Sequence, residues 1–186
     1  TGMDVWMSRG TALACQLAEW GLAEDKWHIA RDSHAFAVGA LEIMPFTVPH
    51  DAREPLQLRC SDGDRRLGVL TDLGHGSLHV IESLQDCHAL LMECNHDTDL
   101  LAQSSYPAFL KKRIAGPQGH LSNEESALLT AALVHPSLNL LVAAHLSERN
   151  NRPDLAQATL AQAAGCLSSD IPVADPLLGT PWFTVH

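Results

Sequence analysis

The feature that most constrains the fold of this chain is a set of apolar segments, each followed by a side chain able to bind a metal ion. His50 follows the apolar residues 43–48, Asp72 follows 67–71, and His145 follows 138–144. Short apolar runs of this kind are typical of buried strands. Because sites in α/β folds collect beyond the carboxyl ends of strands, the pattern predicts an α/β fold with a site at one sheet edge.

Strand signals fill much of the first half of the chain. The strongest strand candidate covers residues 40–48, and Asp62-Gly63 predicts a hairpin turn between strands at 56–60 and 66–71. Further strands are predicted at residues 3–7, 27–30, 35–38, 89–94 and 138–144.

Helix signals dominate the second half. Ser122 and Glu125 match a capping box at the start of a helix that runs to about Val134. Pro153 and Gly165 mark the start and the C-cap of another helix. Helices are also predicted over 106–114 and over 12–20, the latter with Thr11 as its N-cap.

Composition limits the class of protein. With 186 residues, of which 46% are hydrophobic and 18% charged, the chain can bury a sizeable core, and we expect one domain over 1–186. A net charge of −10 argues against coating nucleic acid by bulk charge, although a bound metal can create a local cationic site. Five scattered cysteines without a CxxC pair and the lack of a membrane-length apolar stretch predict a cytoplasmic protein with no membrane partner.

The three residues at the strand ends are candidate metal ligands. Imidazole and carboxylate together suit zinc, manganese or iron. Each residue also has a simpler explanation. A single histidine after a strand is more often a partly exposed side chain with its hydrogen bonds satisfied than a metal ligand, and Asp72 before Leu-Gly can shape an Asx turn. Spacing alone leaves both interpretations open.

Several segments, in their order and spacing, resemble one family. From about Val5 to Ala164 the chain is similar to the YycJ/WalJ group of metallo-β-lactamase-fold hydrolases, relatives of ribonuclease Z and the PhnP phosphodiesterase. The segments that carry the resemblance are PHDAREP at 49–55, LTDLG at 70–74, ECNHD at 93–97, GHLSN at 119–123, AHLS at 144–147 and NNRP at 150–153.

The resemblance implies an αββα sandwich, in which two sheets pack face to face with helices outside. The family's first ligand cluster, His-x-His-x-Asp-His, lies upstream of the strand that begins here near Met3, and this sequence contains no such cluster. We therefore expect an N-terminally incomplete domain that is inactive without the missing segment.

The resemblance also implies a chemistry. His50, Asp72 and His145 would be metal ligands, with Asp72 bridging two divalent ions, zinc or manganese. In the family two ions polarise a water and present hydroxide for attack on a phosphorus or an acyl carbon. We expect a metal-dependent hydrolase, a phosphodiesterase or nuclease whose partner is nucleic acid.

Other residues are predicted to assist. By resemblance, His120 is a substrate-binding residue or the acid for the leaving group, unless it merely precedes the helix cap at Ser122. A second set is predicted to orient a ligand or to contact substrate, with a structural hydrogen-bond network as the alternative for the loop residues. That set is Asp51, Asn95, His96, Asp97 and Ser122.

Two alternative functions remain open at this point. One is a hydrolase of a small phosphodiester or thioester, which would not need the basic groove that nucleic acid requires. The other is a catalytically inactive interaction module. The basic run Lys111-Lys112-Arg113 is a candidate contact for a nucleic-acid backbone, or simply a helix end whose cations match the helix dipole.

Overall fold

The computed structural model describes residues 2–16, 19, 21 and 23–186. The chain begins with a two-stranded parallel sheet, formed by β1 (Val5–Met7) and β2 (Trp27–Ile29). Helix α1 (Arg9–Ala14) lies between these strands, and the Ser8 hydroxyl caps it by accepting a hydrogen bond from the Thr11 N–H. The helix thus starts before Thr11, so the prediction of Thr11 as its N-cap is wrong. The predicted end of this helix falls partly on residues 17, 18 and 20, outside the described residues.

A six-stranded mixed sheet forms the centre of the molecule, and its strands lie side by side in chain order. The strands are β3 (Phe36–Val38), β4 (Leu41–Thr47), β5 (Leu56–Ser61), β6 (Arg66–Leu70), β7 (Ala89–Glu93) and β8 (Leu140–Ala144). The pairs from β3 to β6 are antiparallel, and the pairs β6–β7 and β7–β8 are parallel. It follows that β4, β6, β7 and β8 run in the same direction and end at the same edge.

The connections follow from these directions. The predicted hairpin joins β5 to β6, where Gly63 adopts a φ of 102° that favours glycine. Parallel neighbours need longer crossovers. The helices that provide them, and the one that follows β8, are α2 (Leu78–Leu84), α3 (Thr98–Gln103), α4 (Ala108–Ile114), α5 (Asn123–Leu133) and α6 (Pro153–Ala164).

The core lies between the parallel half of the sheet and helices α2, α5 and α6. Leu90, Met92 and Ala143 from the strands are buried in one cluster with Leu129 and Leu160 from the helices. The capping box at α5 and the left-handed Gly165 at the end of α6 are both present as predicted. Among the described residues, no helix is both long and apolar enough to cross a membrane.

Candidate metal centre

Four loops at the carboxyl edge of the sheet bring three histidines around one carboxylate. Asp72 Oδ1 lies 3.8 Å from His50 Nε2, 3.5 Å from His145 Nε2 and 3.8 Å from His120 Nδ1. His50 follows β4, Asp72 follows β6 and His145 follows β8, whereas His120 lies in the loop before α5. The structure therefore brings together the three predicted ligands and the predicted acid.

The backbone turns sharply at two of these strand ends. Asp72 and His145 both have left-handed backbone conformations, with φ of 56° and 58°. Aspartate and histidine enter this region more readily than most non-glycine residues. The turn directly after each apolar strand places a polar side chain at the sheet edge rather than in the core.

Two of the histidines are held at the nitrogen that faces away from Asp72. His50 Nδ1 donates a hydrogen bond to the Gly119 carbonyl at 2.9 Å, and His145 Nδ1 bonds to Glu93 Oε1 at 2.9 Å. A carbonyl or carboxylate at Nδ1 selects the tautomer in which Nε2 carries the lone pair, as in metal-binding histidines.

Glu93, the last residue of β7, holds two of the three histidines in place through hydrogen bonds. Its side chain is 0% exposed, and its Oε1 accepts hydrogen bonds from His120 at 2.7 Å and His145 at 2.9 Å. Its Oε2 accepts one from the Leu73 N–H at 3.0 Å. Burial raises the pKa of Glu93, but the hydrogen bonds from the two imidazoles outweigh it, so the pKa is lowered and the carboxylate stays ionised.

The charges of the cluster favour a cation. The hydrogen bond to Glu93 raises the pKa of His145 against the opposing effect of burial, and the nearby charges of Glu93 and Asp72 raise it further. Two groups of side chains, His50–Asp72–His120 and Glu93–His120–His145, each offer ligand atoms within 4.8 Å of one another. The Nε2 lone pairs of His50 and His145, which face the Asp72 carboxylate, fit a divalent cation, whereas the nitrogens that face Glu93 carry protons.

Glu93 was not among the residues predicted for the site. Glu93 stands at the end of an apolar run, as Asp72 and His145 do. Unlike them, it is the last residue of its strand rather than a residue of the following loop. A carboxylate at the end of an otherwise apolar strand is the signal that could have identified it, because a buried charge needs partners.

The other predicted residues surround the cluster in different ways. Asp51 bonds to Arg113, with 2.5 Å between Oδ2 and Nε, and this hydrogen bond lowers the pKa of Asp51. Asn95 donates a hydrogen bond to the His145 carbonyl at 3.0 Å and so supports the loop after β8. His96 is buried, and burial lowers its pKa, which favours a neutral ring.

Asp97 and Ser122 both act as helix caps. The Asp97 carboxylate accepts a hydrogen bond from the Leu100 N–H at the start of α3, and the Ser122 hydroxyl accepts one from the Glu125 N–H at the start of α5. These contacts match the structural alternative. A direct role of either side chain in binding substrate stays a prediction.

The loop at Gly119 has no room for a side chain, which leads to a testable prediction. A Cβ at this position would lie 2.1 Å from the Ile114 carbonyl oxygen, so Gly119→Ala must displace the loop whose carbonyl holds His50. We expect metal affinity to fall about 10–100-fold, the usual cost of losing an outer hydrogen-bond partner. Metal titration of this variant beside Gly2→Ala, where a Cβ meets nothing within 4 Å, checks the effect. Equal affinities would contradict it.

Comparison with known proteins places the chain among sequence relatives, although no protein-family model matches it. The exodeoxyribonuclease YycJ of Bacillus anthracis is 34% identical over 124 residues, which are 67% of this chain and 47% of the relative. The exodeoxyribonuclease WalJ of Streptococcus pneumoniae serotype 2 is 31% identical over 188 residues, which are 97% of this chain and 70% of the relative. The chain therefore spans about half the length of the first relative and 70% of the second.

Solved structures share the fold. YhfI from Bacillus subtilis, a metallo-β-lactamase fold protein, has a TM-score of 0.69 at 13% identity, over 96% of this chain and 64% of that one. Zn²⁺-bound PqqB from Methylobacterium extorquens has a TM-score of 0.65 at 15% identity, over 96% of this chain and 64% of that one. A diphosphatase from the PhnP family has a TM-score of 0.62 at 15% identity, over 98% of this chain and 59% of that one.

The fold likeness confirms the predicted α/β, metallo-β-lactamase-like architecture, and the sequence identity confirms the resemblance found in the motifs. The chain belongs to the YycJ/WalJ family of metallo-β-lactamase-fold hydrolases.

Proposed function

We propose that this protein is a metal-dependent phosphodiesterase that hydrolyses DNA at the cluster around Asp72. The observation that carries the proposal is the position of one carboxylate oxygen within 3.5–3.8 Å of three imidazoles, two of which have their outer nitrogen held by an acceptor. The names of the relatives, both exodeoxyribonucleases, support DNA as the substrate.

His50, Asp72 and His145 would hold the metal. Two divalent ions, zinc or manganese, are the proposed complement. The Zn²⁺-bound state of PqqB supports zinc, and mixed nitrogen and oxygen ligands suit either metal. When bound, such ions lower the pKa of water and neutralise charge on a phosphate. Three protein side chains fill only part of the coordination of two ions, so the proposed site needs further ligands.

His120 and Glu93 act as a pair in the proposed reaction. Glu93 accepts the hydrogen bond from His120 Nδ1, which fixes the ring, so Nε2 is the nitrogen that can transfer a proton. A protonated Nε2 can donate to the oxygen that leaves phosphorus, and the ionised Glu93 stabilises the positive ring before the transfer. Glu93 thereby holds a metal ligand and the proposed acid through the same oxygen atom.

The state of the cysteines bears on the cellular compartment of the protein. All five cysteines are free thiols, and two of them, Cys87 and Cys94, are buried in the core. Burial raises the pKa of Cys87 to about 11 and that of Cys94 to about 12, so neither is a reactive thiolate at neutral pH. Free thiols are the usual state in a reducing cytoplasm, where we place the protein.

Metal-dependent hydrolysis of a labelled DNA oligonucleotide tests the proposal. After chelation, activity should return with zinc or manganese in the wild type and fall by more than about 100-fold in His50→Ala, because the variant lacks a ligand. His34→Ala removes an exposed histidine in the turn before β3 and serves as the control. The assay uses the chain joined to any sequence that precedes it in its gene, and the chain alone serves as a comparison in which we expect no hydrolysis.

Three results would overturn the proposal. Metal-dependent DNA hydrolysis that is unchanged in His50→Ala would remove the assigned site. Hydrolysis confined to a small phosphodiester or a thioester, with none of DNA, would support the alternative substrate class. A protein that binds no metal and hydrolyses nothing in either form would be the inactive interaction module.

A further inference from the structure

Helix α4 presents an aromatic and a cationic side chain beside the candidate metal centre. Phe109 is 75% exposed, and the side chain of Arg113 is 66% exposed. The two residues are four positions apart, a spacing that places side chains next to each other on one face of a helix. An exposed ring paired with a guanidinium is the combination that single-stranded nucleic acid uses, through stacking of bases and contacts to phosphates.

A small cavity connects this face to the metal centre. It has a volume of about 190 Å³, and its lining includes His50 and His120 of the metal centre together with Leu110, Arg113 and Ile114 of α4. Small-molecule sites usually measure about 300–1,000 Å³, so this cavity can take only part of a nucleotide, such as its sugar or its phosphate. Leu110 and Ile114 give this lining apolar surface, Arg113 gives it a positive charge, and His50 and His120 belong to the candidate metal centre.

Arg113 is oriented for an anion. Its Nε bonds to Asp51 Oδ2 at 2.5 Å, and the N–H of Asp51 donates to the Gln118 carbonyl at 2.9 Å in the loop that carries His120. The carboxylate fixes the guanidinium through Nε, and within the part of the chain that the structure describes the terminal nitrogens form no hydrogen bond, so they can bind another partner. A planar guanidinium matches the geometry of a phosphate, with two parallel hydrogen bonds.

The charge distribution of the protein favours one specific phosphate contact over a broad attraction of DNA. The net charge of −10 opposes broad attraction of nucleic acid, and the positive charges of α4 are concentrated in its last turn. In that turn Lys111 bonds to the Ala102 carbonyl, whereas Arg113 lines the cavity. A specific phosphate contact at Arg113 therefore fits the charge distribution better than a diffuse basic surface.

We propose that α4 binds a single strand of DNA, with a base stacked on Phe109, a phosphate on Arg113 and part of the adjoining nucleotide in the cavity that His50 and His120 line. The proposal rests on the proposed function, since it assigns the substrate of that same site. It requires a single strand, because both faces of a base in a duplex are covered by its neighbours and are closed to Phe109.

Equilibrium binding without metal tests the proposal independently of hydrolysis. Fluorescence anisotropy with a labelled oligothymidine in EDTA should show that Phe109→Ala binds about tenfold or more weakly, as expected for loss of one stacked base. Arg113→Ala should weaken binding about as much and lower the slope of log Kd against log salt by about 0.7, the value for one phosphate contact on a single strand. Phe109→Trp should retain binding.

Matched controls separate these effects from general changes of surface. Lys112→Ala removes a positive charge next to Arg113 but outside the cavity, and Leu128→Ala removes an apolar side chain of similar exposure, 73%, on α5. Both controls should bind the oligonucleotide like the wild type. A duplex of the same length should bind more weakly than the single strand, and Phe109→Ala should not change its binding.

The outcomes distinguish this proposal from the proposed function. Wild-type affinity in Phe109→Ala and Arg113→Ala, or no measurable binding of the single strand by the wild type, would overturn the role of α4 even if DNA is hydrolysed. Equal weakening by the Lys112 control would also overturn it. Binding that depends on Phe109 and Arg113 in a protein that hydrolyses no phosphodiester would support α4 as the binding element and reject the hydrolase.

Discussion

Asp72→Asn should bind its divalent metal more than about 100-fold more weakly than the wild type and should lose hydrolytic activity to at least the same extent. The substitution keeps the shape of the side chain and tolerates the φ of 56°, because asparagine enters the left-handed region readily. It removes the negative charge that faces three imidazoles at 3.5–3.8 Å. Loss of an outer hydrogen-bond partner alone costs about 10–100-fold, so loss of the central ligand should cost more.

Metal titration by calorimetry, together with thermal denaturation of the metal-free protein, checks this result. Asp64→Asn, in the exposed hairpin turn between β5 and β6, is the matched control and should bind metal like the wild type. The metal-free Asp72→Asn protein should melt close to the wild type, which would show that the change acts on the site. An unchanged metal affinity in Asp72→Asn would exclude this carboxylate as a ligand.

Glu93→Gln should damage both stability and metal binding. A glutamine in this buried position has one acceptor oxygen for three donors, namely the two imidazoles at Oε1 and the Leu73 N–H at Oε2. At least one N–H then faces the amide NH₂ group, and a buried unsatisfied polar group costs about 1–3 kcal/mol. We also expect metal affinity to fall about 10–100-fold, because His145 loses the carboxylate that orients it.

Denaturant unfolding of the metal-free protein and metal titration measure the two parts of this prediction. Glu82→Gln, on helix α2, is the control for loss of a glutamate charge elsewhere in the chain. NMR titration of His145 adds a specific signal, since the pKa that Glu93 raises should move back toward its ordinary value. A variant with the stability, metal affinity and His145 titration of the wild type would show that Glu93 does not support the site.

The strands and their polar ends were predictable for a physical reason. β6, β7 and β8 are parallel and buried, so their sequences are short apolar runs that end where the chain reaches the sheet edge. The same property made His50, Asp72 and His145 visible as candidates. Their mutual distances were not predictable, because they depend on strand order and direction, which no local pattern encodes.

Other features were not predictable, because the local sequence gives too little or ambiguous information about them. Helices α2 and α3 have seven and six residues, too few for a clear apolar period, and only their caps Ser77 and Asp97 mark where they begin. The start of α1 was misplaced because Ser8 and Thr11 are both good capping residues, and the structure uses Ser8. The charge of Glu93 at the end of an apolar run indicates that it needs partners, but the sequence does not show that these partners are the imidazoles of His120 and His145.

The resemblance to a family added what the residues alone could not. It assigned roles to His120 and to the three ligands, and the structure brings these four side chains together at one sheet edge. The hydrogen bonds that hold them, from Gly119 to His50 and from Glu93 to His120 and His145, became visible only in three dimensions. Those partners join residues that are 27 to 69 positions apart in the chain.

Anomalous diffraction from crystals grown with zinc or manganese would locate the metal itself. Data collected at the absorption edge of the added metal should give a strong peak between His50 Nε2, Asp72 Oδ1 and His145 Nε2, within coordination distance of all three residues. The peak should be absent in crystals of Asp72→Asn grown under the same conditions. A peak elsewhere in the wild-type protein, or none at these residues with metal in excess, would contradict the assignment of the metal centre.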